Sequence, residues 1–219
     1  AGCGETASGP ASDTAAAPPL EGPRAGTATA ILNAGVMAEL GTGDSPGDPD
    51  RPAPVKLLFD PLYDDHWGTF EVPPPALIEA LVNGSAPYDG VAAVFVSHAH
   101  GDHFSAHQLT RLLAAQPQVT LVAPAQALEQ MRADPAWEER LAAQVRAITL
   151  GNGEASEAIT IAGATVEAFR TPHSGWPARH AEVHNLTFRD SLPAAGGLGA
   201  RVMHLGDADP ASEHYAAVR

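Results

Sequence analysis

Apolar positions along the chain fall into short, dense runs separated by stretches rich in proline, glycine and aspartate. Residues 91–96 form an unbroken apolar run, the pattern of a strand buried on both faces, and residues 119–122 repeat it. Residues 27–40 are rich in small and β-favouring side chains, and residues 55–59 form an apolar run closed by Asp60-Pro61; both predict strands. Between them the segment GTGDSPGDPDRPAP is dense in turn formers and predicts a long hairpin-type connection. Helical spacing of apolar residues marks 105–115. Residues 75–82 and 124–133 each begin with a proline, which a first helical turn tolerates, and Asn83-Gly84 stops the first of them. Residues 137–145 also predict a helix, and residues 158–161, 164–170, 183–189 and 201–205 a closing series of strands. Strands, then alternating strands and helices, then strands again imply layered sheets covered by helices.

The first 26 residues break from this texture. They hold one large aliphatic side chain, Leu20, and no aromatic, so burial cannot offset the entropy of ordering them. They read as a flexible tether, which leaves residues 27–219 as the folded domain. The opening Ala1-Gly2-Cys3 resembles the end of a bacterial lipobox. That resemblance implies an upstream signal peptide, a lipid on Cys3, and a place at the cell envelope, periplasmic or on the outer surface; without the lipid the expectation is cytoplasmic. Cys3 is the only cysteine, which excludes a disulfide framework and a thiolate zinc cluster.

Charge narrows the partners. With 26 acidic and 12 basic residues the formal net charge is −14. No basic field draws in polyanions, so direct nucleic-acid binding is not expected, and a membrane is expected only through a lipid anchor at Cys3. At 44% hydrophobic and 17% charged residues, the composition is that of a globular domain.

The chemistry is concentrated in histidine. Four of the ten histidines, His98, His100, His103 and His107, fall within ten residues directly after the apolar run 91–96. A loop at a strand end is where side chains leave the core and converge. Imidazoles and a carboxylate are ligands for zinc and similar cations. In an extended loop alternate residues point the same way, so His98 and His100 can grip one ion, while Asp102 and His103 diverge towards a second. Gly101 lets the backbone turn between the pairs. His107 falls in the following helix and reads as structural.

The run His98-Ala99-His100-Gly101-Asp102-His103 resembles the HxHxDH signature of the metallo-β-lactamase superfamily. Leu58-Phe59-Asp60-Pro61 resembles that family's upstream strand ending in aspartate, and Val94-Phe95-Val96-Ser97 the strand that delivers the motif. Met203-His204-Leu205-Gly206-Asp207 resembles the strand whose closing Gly-Asp supplies a bridging carboxylate. The resemblance implies an α+β, four-layer αββα fold, with two β-sheets sandwiched between helices. It implies that His98, His100 and a third histidine bind a first metal, that Asp102 and His103 bind a second, and that Asp207 bridges both. His173 is the leading third ligand because it follows an apolar strand; His180 and His184 compete, otherwise serving, with Trp176, as candidate substrate contacts. Asp60 and His204 are expected to support the ligands by hydrogen bonds. His66-Trp67 lies in a loop that could overhang the site.

The implied activity is metal-dependent hydrolysis of a small phosphodiester, lactone or related ester by a metal-bridging hydroxide, with Asp102 orienting it and shuttling its proton. Two divalent ions per chain are implied, zinc first, with manganese or iron accepted by the same donors. Diiron redox proteins of the same fold resemble HxExDH instead, and His100 at the second position favours zinc. A non-catalytic metal-binding or scaffolding lipoprotein is the remaining alternative. Its support is that the family closes its second metal site with a histidine on a later strand. After Asp207 the chain holds only His214, inside residues 211–218 that read as a helix start, so the expectation is that the C-terminal part of the domain is missing.

Overall fold

The computed structural model describes residues 26–41, 53–156, 158–192 and 200–218. The expected tether with Cys3, and most of the connection between residues 41 and 54, lie outside the described residues. Ten strands form two sheets. In the first, β1 (Gly26–Ile31) and β2 (Gly35–Leu40) pair antiparallel, β2 pairs antiparallel with β3 (Val55–Phe59), and β4 (Val91–Phe95), β5 (Thr120–Pro124) and β6 (Val145–Ile148) add in parallel. The second is an antiparallel sheet in the order β10-β9-β8-β7, built from β7 (Ile159–Ile161), β8 (Ala164–Arg170), β9 (Leu186–Leu192) and β10 (Ala200–His204).

The apolar runs work as expected of strands buried on both faces. Met37, Leu58, Val94 and Leu121 point to one side, where they meet Leu81 and Val82 of α1 (Pro75–Asn83), Leu109, Leu112 and Leu113 of α2 (Ala106–Ala115) and Met131 of α3 (Ala125–Arg132). Their neighbours Ala38, Leu57, Phe59, Phe95 and Val122 point to the other side, against Val166, Leu186 and Phe188 of the second sheet. Helices, first sheet and second sheet are thus stacked around two apolar layers, an α+β sandwich as expected; of the four αββα layers expected, the described residues supply these three. No helix among the described residues is long and apolar enough to cross a membrane.

Local signals set the helix ends. Pro75 opens α1, and Gly84, in the left-handed region at φ 61°, closes it. The Ser105 hydroxyl caps α2 by accepting the Gln108 N–H at 3.1 Å. Three expectations change. Residues 27–40 form a hairpin rather than one strand, because Leu32 turns at φ 53° between β1 and β2. The helix expected over 137–145 is a 3-10 turn, Glu139–Gln144, that runs into β6, an edge strand too short and too polar to register as one. The strand expected at 183–189 starts at Leu186, because the three residues before it are bonded outside the sheet: the Val183 N–H to the His180 carbonyl of its own loop (3.1 Å), the His184 N–H to Gln126 Oε1 of α3 (2.9 Å), and the Asn185 carbonyl to the Thr171 N–H (3.1 Å).

Candidate metal centre

Four segments converge at one end of the sandwich: Asp60 at the end of β3, residues 97–103 after β4, residues 171–185 between β8 and β9, and residues 205–209 after β10. Backbone bonds lace them together. The Leu186 N–H donates to the Ser97 carbonyl (2.8 Å), Ser174 N–H to that of Asp207 (2.7 Å), and Asp209 N–H to that of Pro172 (2.7 Å). Asn185, fully buried, accepts the Asp207 N–H (3.1 Å) and donates to the Thr171 hydroxyl (3.0 Å) and Leu205 carbonyl (3.1 Å). Gly206 sits at φ 56°, and a Cβ there would lie 2.5 Å from Ser97 Cβ and 2.6 Å from Asn185 Oδ1. The aspartate-bearing loop can approach the histidine loop only without a side chain at that position.

This lacing brings ligand atoms into two overlapping groups, His98 with His100 and His173, and His98 with His103 and Asp207, each within 4.8 Å. The hydrogen bonds behind the rings fix which nitrogen faces inward. The Ser97 hydroxyl donates to Asp60 Oδ2 (2.6 Å), so its oxygen accepts from His98 Nδ1 (2.9 Å). His173 Nδ1 donates to the Ser174 carbonyl (2.9 Å), and His103 Nδ1 to Asp60 Oδ2 (2.9 Å). In each ring Nε2 is turned into the site, and for His98 and His173 it is buried without any hydrogen-bond partner. A buried lone pair left bare is costly unless something coordinates it, and a backing bond on the opposite ring nitrogen is the usual support of a metal-binding histidine. These residues therefore fit a divalent cation. The Asp207 carboxylate reaches both groups, with Oδ1 3.2 Å from His103 Nε2 and Oδ2 3.7 Å from His173 Nε2. Asp102 Oδ2 lies 3.9 Å from His103 Nε2.

Asp60 is the hub. Fully buried, it takes the Ser97 N–H on Oδ1 (2.7 Å), and the Ser97 hydroxyl, His103 Nδ1 and His204 Nε2 (2.9 Å) on Oδ2. Burial alone would raise its pKa, but the bonds from His103 and His204 outweigh it and hold the carboxyl well below the usual range. Burial likewise opposes charge on His103, yet its bonds to Asp207 and Asp60 raise it to about 10 in the metal-free protein. His98 shifts the other way, to about 3, through burial and the neighbouring His103 charge. One ring is held cationic beside another held neutral, a field that a metal ion would take over.

The remaining sequence candidates separate cleanly. His180 joins the cluster, its ring 4.7 Å from that of His173 and 5.2 Å from that of His100. His184 makes no ring contact with the cluster among the described residues; its backbone N–H donates to Gln126 Oε1 (2.9 Å). Trp176 packs edge-on against His214 at 5.7 Å, and His214 Nδ1 faces Asp209 at 3.4 Å, outside both ligand groups. His107 faces Asp134 at 3.3 Å on the helical side. Trp67 is exposed, while its near neighbour Phe70 lines the cleft over Asp102, His103 and Asp207. Asn185 and Phe70 had no expected role. Neither Asn185, in the mixed stretch Val183-His184-Asn185-Leu186-Thr187, nor Phe70 leaves a signal in the sequence.

The chain has no match among curated protein sequences. A candidate metal-dependent hydrolase from Parabacteroides distasonis is similar in structure, with 17% identity over 84% of this chain and 61% of its own, at TM-score 0.45. CmlA, a diiron β-hydroxylase from Streptomyces venezuelae, gives 12% identity over 84% of this chain and 30% of its own, at TM-score 0.46. Zinc-bound PqqB from Methylobacterium extorquens gives 19% identity over 76% and 50%, at TM-score 0.41. The chain thus spans 61% or less of the length of each of these three. The sequence profile of the Beta-lactamase superfamily domain matches residues 56–218, from the strand that delivers Asp60 to beyond Asp207, and the chain belongs to that superfamily.

Proposed function

We propose that the chain is a metal-dependent hydrolase of small phosphodiesters, lactones or related esters, holding two divalent ions, zinc first. The observation that carries this reading is the pair of buried, unpartnered Nε2 atoms of His98 and His173, each backed on Nδ1, with Asp207 reaching across to both ligand groups. His98, His100 and His173 would hold one ion, Asp102 and His103 the other, and Asp207 both. When bound, such a pair supplies Lewis acidity and a water whose pKa is lowered towards neutrality. The protein's own part is to orient and to move protons. Asp60 and Ser97 fix the rings, and Asp102, at the cleft wall, takes the attacking water's proton and returns it to the leaving oxygen. The all-histidine first group, with nitrogen at His100, favours zinc over a redox iron pair.

Elemental mass spectrometry on the desalted chain and on Asp207→Ala tests this. We expect about two zinc ions per chain, falling in the variant, together with zinc-dependent hydrolysis of p-nitrophenyl esters or phosphodiesters. No retained metal in a folded chain would overturn the reading, and iron with a visible absorption band would replace it by a redox centre.

A further inference from the structure

The segment between β3 and α1 is tied to the ligand loop. Asp64 and Asp65 N–H both donate to the Gly101 carbonyl (3.0 and 2.8 Å), and the Ser105 N–H to that of Leu62 (2.9 Å). The Tyr63 hydroxyl pins the far side by donating to the Glu71 carbonyl (2.6 Å). Between these anchors Thr69 and Phe70 N–H turn back onto the His66 carbonyl. So secured, the segment holds Trp67, Phe70 and Val72 out of both apolar layers, at 62, 38 and 56% exposure. These are half of the large exposed apolar side chains among the described residues. Apolar surface concentrated beside a polar site, on a segment held this firmly, marks a contact surface.

Phe70 is the member that reaches the site. With Ala34 it supplies the apolar part of the lining of a cleft of about 340 Å³ that Asn33, Asp102, His103, His204 and Asp207 also line. Among the described residues neither lysine nor arginine lines that cleft, nor the one at His100, where Glu129 and Glu182 stand. Among the described residues these clefts offer a polyanion no lysine or arginine, whereas an uncharged group with an apolar arm finds polar side chains to be polarised by and Phe70 to lie against.

We infer that the substrate is an uncharged carboxylic ester or lactone with an apolar acyl group, and that Phe70 selects it by packing on that group. The inference rests on the hydrolase reading and deepens it. In the reaction water oxygen bonds to the acyl carbon, the carbon–oxygen ester bond breaks, and the water's proton leaves with the alcohol; no oxidant or reductant is needed.

The test compares the zinc-loaded full chain with Phe70→Ala and Phe70→Leu. Substrates are p-nitrophenyl acetate, p-nitrophenyl butyrate and bis-p-nitrophenyl phosphate; the ligands for calorimetry are acetate and butyrate. Two extra methylenes on an apolar wall give on the order of 10-fold preference for butyrate in kcat/KM and in binding. Phe70→Ala is expected to bring that ratio near unity through KM, with zinc content unchanged, and Phe70→Leu to restore most of it. Hydrolysis with a ratio indifferent to Phe70→Ala overturns the role of Phe70 and leaves the hydrolase reading intact. Faster turnover of the phosphodiester overturns the uncharged substrate. Phe70-dependent butyrate binding without hydrolysis of any ester supports the apolar wall and sinks the hydrolase reading instead.

Discussion

Asp60 takes four hydrogen bonds on two oxygens, and an amide cannot replace it. In Asp60→Asn one of those oxygens becomes an NH₂ facing a donor, whichever way the amide turns. If it replaces Oδ2, His103, His204 and the Ser97 hydroxyl lose their common acceptor, and through Ser97 the orientation of His98 is lost as well. Removing such a support costs roughly 10–100-fold in metal affinity. Zinc affinity by competition with a chromophoric chelator is expected to fall in that range; a folded variant of unchanged affinity would show that Asp60 does not orient the ligands. At this scale the sequence is informative wherever residue type and spacing both constrain the chemistry. His98, His100, Asp102 and His103 declare themselves by lying together in one loop. Asn185, fully buried and held by three hydrogen bonds, does not, because its three partners come from loops separated from it by 14 to 22 residues.

Between elements, the demand falls on Gly206. The 205–209 loop must cross over Ser97 and Asn185 at contact distance to deliver Asp207, and a left-handed backbone with no Cβ is the way it does so. Gly206→Ala adds a methyl group to a filled space and a left-handed penalty for an L-residue, together about 2–4 kcal/mol. Urea unfolding is expected to report a loss of that size, with zinc content falling because Asp207 is displaced. A loss below about 0.5 kcal/mol, the ordinary range of a surface change, would mean the loop simply shifts aside. Element identity followed from periodicity where a strand is buried on both faces, as for β3, β4 and β5. It failed at β6, whose Val145-Arg146-Ala147-Ile148 lies at the sheet edge with only partial burial, and at the Leu32 turn, where no glycine stands at the positive φ. In both cases tertiary contacts, not local preference, decide the conformation.

At the scale of the whole molecule, the layer between the sheets contains one group that neither periodicity nor motif exposed. Asp190, on β9 beside Val166 of β8 and Val202 of β10, is fully buried, and neither carboxylate oxygen has a hydrogen-bond partner. Burial raises its pKa from 3.8 to about 7. The folded protein therefore holds a proton on Asp190 that the unfolded chain has already released, throughout the interval between those values. Stability contributed by the neutral acid is complete below pH 4, falls as the pH rises towards 7, and then levels off at its lowest value. The full span is on the order of 4 kcal/mol. Asp190→Asn keeps the shape and cannot ionise, so its stability relative to the native chain should grow over that same interval and be constant above it. Paired urea titrations at pH 4.5, 6 and 8 measure the difference, and metal-free protein is used throughout so that the ligand histidines cancel between the two chains. A difference that does not change with pH would mean that Asp190 is ionised in the fold, with a counter-charge beside it. A difference that grows as described would mean that the protein's two sheets are packed around a neutral acid, and that this contribution to its stability is lost by the time the pH reaches neutrality.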